Sequence, residues 1–165
     1  MSKVKFGNNE LNLLGKEIKL GDNVEIKACS AGSFQPEILD LKGKYTVIAT
    51  YPSADTSICD MQIINMAKLS AKYLNFNFIG LSMDLPSALK NYKSCHSLEN
   101  MKLYSDYQDK QNSLNLGVLI ERVNLSARAM FVLDKNSKLI YKQVNEMISN
   151  QVDFEKLEQF LTTLI

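Results

Sequence analysis

Cysteine is scarce: the 165 residues hold three, Cys29, Cys59 and Cys95. A disulfide scaffold in a chain this long would carry more, and an even number. A structural zinc site takes about four ligands, usually paired closely in sequence. Three scattered cysteines and the single histidine, His96, supply no such pairing. Reduced or reactive thiols are the better reading. Arginine is scarcer still, only Arg122 and Arg128, so an arginine-based site has two places to be. Nor is one sign of charge in excess: 19 basic and 18 acidic residues leave a net charge of +1. That balance argues against a nucleic-acid protein, whose basic patch shows in composition, and against a polyacidic tail or long disorder. No apolar run approaches the ~20 residues of a membrane span. The first residues, Met1 to Gly7, alternate polar and apolar side chains without the apolar run of a signal peptide. A soluble cytoplasmic protein is the expectation.

What is present suits one domain spanning residues 1–165. Hydrophobic residues make up 45%, and a chain of this size buries roughly 70% of its unfolded surface. Lys3–Phe6 and Glu10–Leu14 alternate around the turn residues Gly7-Asn-Asn, which reads as an N-terminal hairpin. Val24–Cys29 reads as a third short strand. Tyr45–Tyr51 is β-branched and aromatic, a buried strand. After the turn beginning at Pro52, apolar residues at 58, 61, 65/66, 69 and 73 suit a helix over Ile58–Tyr73, broken only at Asn65. Phe76–Ser82 is again a strand, completing a βαβ unit whose crossover is right-handed. A helix over Pro86–Cys95, a strand over Lys102–Asp106 and a helix over Lys110–Leu116 ending at Gly117 follow. Arg128–Asp134 and Lys138–Val144 form a hairpin, and Asp153–Leu164 an amphipathic helix with Phe154, Leu157, Phe160, Leu161 and Leu164 on one face. A βαβ half followed by a ββα half is the order of a thioredoxin-like α/β fold, with a central mixed sheet and helices on both faces.

Cys59 falls in the first turn of the first long helix. Ser57 and Asp60 have the spacing of a capping box, which supports a helix start there. Unpaired N–H groups and the helix dipole favour an anion at that end, and a thiolate is such an anion. Asp60 works against this unless its carboxylate points away. A small core cysteine under a helix is the competing reading on position alone. Met61 and Met66 read as core residues rather than cofactor contacts. His96 reads as an exposed polar residue beside Cys95 rather than the base of a Cys–His hydrolase.

The residues around Cys59 run Pro52-Ser-Ala-Asp-Thr56-Ser-Ile-Cys59. This Pro-x-x-x-Thr-x-x-Cys pattern on a strand-to-helix turn resembles the peroxiredoxin signature, and its longer form resembles the thiol peroxidase branch, an atypical two-cysteine peroxiredoxin. The likeness continues through Ser82-Met-Asp-Leu-Pro86, Leu98-Glu-Asn-Met, Leu103-Tyr-Ser-Asp106, Gly117-Val and Ala127-Arg-Ala129. It implies a thioredoxin-like fold and a peroxidase of hydrogen peroxide and organic hydroperoxides. Cys59 is then the peroxidatic nucleophile, since the thiolate is the reactive form of sulfur. Thr56 is expected to set its hydroxyl beside the sulfur and the peroxide, Arg128 to stabilise the thiolate and orient the peroxide oxygens, and Pro52 to shield the sulfur from water. No metal, haem or flavin is implied. The resemblance further implies a homodimer, an intramolecular disulfide with a second cysteine and recycling by thioredoxin or a similar dithiol.

Cys95 is the candidate resolving cysteine, yet it departs from the pattern. Matching Pro86 and Leu98 without a gap puts the usual cysteine position at Lys93, two residues earlier. Two residues turn a helix by about 200°. Cys29, in an expected strand, reads as a packing residue. A single-cysteine peroxidase resolved by an external thiol, and a non-enzymatic thioredoxin-fold binding module, stay open. No Cys-x-x-Cys pair is present, so a thioredoxin-type oxidoreductase is not favoured.

Overall fold

The computed structural model describes residues 2–165. In chain order the strands are β1 (Lys3–Phe6), β2 (Asn9–Leu14), β3 (Lys27–Ser30), β4 (Pro36–Ile38), β5 (Thr46–Thr50), β6 (Asn77–Ser82), β7 (Met101–Ser105), β8 (Leu119–Ile120), β9 (Ala129–Leu133) and β10 (Leu139–Val144). The helices are α1 (Ser57–Lys72), α2 (Pro86–Cys95), α3 (Gln111–Asn115) and α4 (Phe154–Thr162). Seven strands form one sheet in the order β10-β9-β5-β6-β7-β3-β4. Pairing is parallel for β5–β6 and β6–β7 and antiparallel for the rest, so the sheet is mixed. The hairpin β1–β2 pairs with β8 in a separate three-stranded sheet.

Alternate side chains of the central strands enter opposite layers, as strand geometry requires. Val47, Ala49, Phe78, Leu103, Met130 and Val132 join a core with Ile63 and Met66 of α1, Leu89 of α2 and Leu157 and Leu161 of α4. Ile48, Ile79, Leu81, Phe131 and Leu133 join a second core with Val4, Leu11 and Leu13 of the hairpin and Leu116 beyond α3. Three helices therefore cover one face, and the hairpin with the five-residue α3 covers the other. Full burial of each of the larger apolar side chains, valine and above, contributes about 1.5–3 kcal/mol.

Gly80 shows how tightly the first layer is filled. A Cβ there would stand 2.6 Å from the Tyr51 hydroxyl and 2.9 Å from Leu103 Cδ2. Gly117 follows α3 with φ +71°, a conformation that L side chains avoid, which is why the chain leaves that helix there.

Several boundaries differ from the sequence reading. The expected strand Val24–Cys29 is shorter and shifted to Lys27–Ser30. β4 was not expected, because Pro36 tolerates only an edge position and the strand is exposed throughout. α1 buries Cys59, Gln62, Ile63, Met66, Ala67, Leu69 and Ser70, a stripe rotated from the expected one. Met66 is fully buried, but Met61 is 49% exposed and is not a core residue. The stripe moved because Gln62, a polar residue, occupies the inward position that an apolar count assigned to its neighbour.

Candidate active site

The turn between β5 and α1 is pinned from outside itself. Asp84, just beyond β6, accepts hydrogen bonds from the Ser53 hydroxyl (2.8 Å), the Ala54 amide (2.8 Å) and the Ser82 hydroxyl (2.7 Å). Pro52 is buried at the start of the turn. The helix begins at Ser57, the expected cap, so the N-cap is one residue earlier at Thr56, with extended backbone and no side-chain cap bond. The capping box expected from Ser57 and Asp60 is therefore not formed. The Thr56 hydroxyl donates to the Ser53 carbonyl at 3.1 Å, and no hydrogen bond joins it to Cys59 Sγ among the described residues.

Asp60 is turned elsewhere: its Oδ1 accepts from the Tyr92 hydroxyl and lies 3.2 Å from His96 Nε2. Its charge is thus directed to α2, as a thiolate at Cys59 requires. His96, expected to be exposed, is instead half-buried and engaged in this contact.

Cys59 is 1% exposed and Arg128 3%. Arg128 Nη1 lies 3.3 Å from Cys59 Sγ and 2.9 Å from Gln62 Oε1, while its Nε donates to the Ile148 carbonyl at 3.0 Å. Gln62 is held in turn through its Nε2, which donates to the carbonyls of Thr50 (3.2 Å) and Ala129 (3.4 Å). The loop after β10 also closes on α1, where Gln151 Nε2 donates to the Ile58 carbonyl at 3.0 Å. Among the described residues no carboxylate pairs with Arg128. A buried guanidinium without an anion is costly, so the neighbouring sulfur is the group whose negative charge it can balance.

Four contributors escaped the sequence reading: Gln62, Asp84, Gln151 and the Ile148 carbonyl. Asp84 lies inside the Ser82–Pro86 segment that carries part of the family likeness, which by itself gives it no role. A polar residue on the inward side of α1 was the signal for Gln62. The other two carry no local signal, because their function is a contact across the fold.

All three cysteines are free. Cys29 is buried in β3, and burial, with the charges of Asp109 and Glu37, pushes its thiol up, away from reactivity. Cys95, the last residue of α2, is exposed, with the Ser94 hydroxyl 3.7 Å from its sulfur. The inward side chains of α2 are Pro86, Leu89 and Tyr92. Both Lys93 and Cys95 lie outside that stripe and face solvent. Among the described residues no helix is long and apolar enough to cross a membrane.

A mixed sheet, a helix N-terminus carrying a buried cysteine and a guanidinium on its sulfur define a thiol-based redox protein of thioredoxin-like fold. A family model described as the AhpC/TSA family matches residues 23–142. A thiol peroxidase of Bacillus subtilis is 32% identical over 157 residues, 94% of each chain. One from Oceanobacillus iheyensis is 34% identical over 156 residues, 94% of this chain and 95% of its own. A solved peroxiredoxin-like protein from Aquifex aeolicus superposes with a TM-score of 0.91 at 28% identity, covering 100% of this chain and 98% of that one. A thiol peroxidase structure from Chromobacterium violaceum, at 19% identity and a TM-score of 0.88, agrees in fold. The chain belongs to the AhpC/TSA family, in its thiol peroxidase branch. It is a thiol-based peroxidase.

Proposed function

We propose that Cys59 is the peroxidatic cysteine of a two-cysteine peroxidase acting on hydrogen peroxide and small organic hydroperoxides. The observation that carries this reading is Arg128 Nη1 at 3.3 Å from Cys59 Sγ, a buried cation with no carboxylate partner among the described residues. The Cys59 thiolate attacks one peroxide oxygen, the O–O bond breaks, and the other oxygen leaves as water or alcohol after taking a proton. Cys59 becomes a sulfenic acid. Arg128 balances the charge on sulfur and then on the departing oxygen. Gln62 keeps that guanidinium in place. The amides of Ser57, Ile58 and Cys59, free at the start of α1, offer further donors to the oxygens. Thr56 presents its hydroxyl to the peroxide from the same turn, and Pro52 keeps water from the sulfur.

Cys95 resolves the sulfenic acid. Its thiol attacks Cys59 sulfur, a disulfide forms and water leaves, and thioredoxin or a similar dithiol restores both thiols. The active species is a homodimer of one-domain subunits in the cytoplasm. One feature favours a second reading, in which a separate thiol resolves Cys59: Cys59 is buried whereas Cys95 is exposed, two residues from the family position. Intact-mass and peptide mapping after one equivalent of peroxide separate the two. A Cys59–Cys95 disulfide supports internal resolution, and a persistent sulfenic acid at Cys59 supports the external thiol. Oxidation that spares Cys59 overturns both.

A further inference from the structure

Between the two candidate redox cysteines lies a contact that the peroxide step does not use. Asp60, next to Cys59, accepts on Oδ1 from the Tyr92 hydroxyl and sits 3.2 Å from His96 Nε2. His96 is next to Cys95. Its ring stacks on Tyr92 with centroids 3.9 Å apart and an interplanar angle of 12°. Its Nδ1 lies 2.8 Å from the Tyr92 carbonyl. Burial, then the bond to Asp60, pushes the Tyr92 hydroxyl far up, so it stays protonated and remains a donor. The carboxylate of α1 is thereby tied to the last turn of α2 and to the residue where that helix ends, His96, with extended backbone.

This tie fixes a geometry unfit for resolution. Tyr92 and His96 face α1, so Cys95 between them faces solvent. A disulfide needs Cα atoms about 4.4–6.8 Å apart and converging Cβ vectors. An outward Cys95 reaches a buried Cys59 only after the end of α2 turns or frays. Fraying must break the Asp60 contacts first, since they hold that end.

We propose that Asp60, Tyr92 and His96 are positioning residues that form a latch on the resolution step: they keep Cys95 outward until the tie breaks, and so set how long the Cys59 sulfenic acid persists. The inference rests on the reading of Cys95 as resolving cysteine. The gated step is balanced as written above: Cys59–SOH and Cys95–SH give the disulfide and water, with peroxide as the only oxidant, consumed one step earlier. A second peroxide molecule competes for the waiting sulfenic acid and takes it to sulfinic acid. A stronger latch therefore means more over-oxidation.

The test follows both steps in Tyr92→Phe, which keeps the ring and its stacking, and in His96→Ala, with His96→Gln restoring a donor near the former Nε2 position. The probe is hydrogen peroxide, and the protein is the full chain. Stopped flow reads consumption of the first equivalent, and acid quench with peptide mapping reads disulfide formation. Each variant leaves Asp60 one of its two partners, so its charge stays turned from Cys59. The latch therefore predicts an unchanged first step, disulfide formation faster by about five-fold in Tyr92→Phe and His96→Ala for loss of one ordinary hydrogen bond, a smaller sulfinic fraction under excess peroxide, and a return toward the parent rate in His96→Gln. A mere loss of packing would slow both steps and would not be rescued by glutamine. Equal or slower disulfide formation in both variants overturns the latch while leaving Cys95 as resolver. Absence of any Cys59–Cys95 disulfide in the parent overturns the resolver reading and the latch with it.

Discussion

The start of α1 and the end of α2 each carry a cysteine, and they are built in opposite ways. Cys59 is buried, faces Arg128 and stands on a turn held by Asp84. Most of the groups that fix it come from elsewhere in the chain: Arg128 from just before β9, Ile148 and Gln151 from the loop after β10, Asp84 from beyond β6. Cys95 is exposed at a helix end, and the hydroxyl of the adjacent Ser94 lies 3.7 Å from its sulfur. A nucleophile that must be a stable anion needs a preorganised shell. A thiol that must move to meet it is better left without one.

The sharpest way to break this contrast is to exchange the sulfurs for oxygen. In Cys59→Ser, peroxide consumption should vanish, measured as peroxide loss with excess reductant. Full activity would remove Cys59 from the chemistry. Cys95→Ser should also stop turnover with thioredoxin, yet still consume one equivalent of peroxide and then accumulate sulfenic and sulfinic acid at Cys59 by mass spectrometry. Normal cycling in that variant would give resolution to an external thiol. Arg128→Met should retain the fold by circular dichroism and slow the first step by about 10²–10³-fold, the usual loss of a charge-stabilising donor. Thiol alkylation at neutral pH should slow as well, and an unchanged rate would show that the guanidinium does not support the thiolate.

Smaller effects sharpen the comparison further. Gly80→Ala loads the layer beneath both helices, forcing Tyr51 and Leu103 apart. It should destabilise by about 1–3 kcal/mol, read as a lower urea midpoint with unchanged slope. Because that floor is shared, the rates at Cys59 and Cys95 should change together, unlike those of the latch variants. Cys29→Ala should leave turnover unchanged and cost about 1 kcal/mol of stability, since Cys29 is packed in β3 and far from thiolate character. A drop in activity there would give the third cysteine a part in the cycle.

Local patterns made much of this molecule readable from sequence. Alternation gave the hairpin, β-branched runs gave β5 and β6, and Phe154 to Leu164 gave α4, whose Leu157 and Leu161 are fully buried. The Pro52–Cys59 turn singled out its cysteine because strand, turn and helix start are all short-range preferences. The failures share one cause. Gln62 turned inward because the carbonyls of Thr50 and Ala129 and the Arg128 guanidinium satisfy it there, partners 12 to 67 residues away. Asp60 and His96 looked unrelated because their bond joins two helices. Sequence by itself marked most of the elements and singled out Cys59 and Arg128 as the candidate pair, since each rests on local pattern or a contiguous motif. Only the tertiary structure decided which way Asp60 points, what anchors Arg128 and which side of α2 carries Cys95, because those depend on which long-range partner meets each polar group once the layers pack.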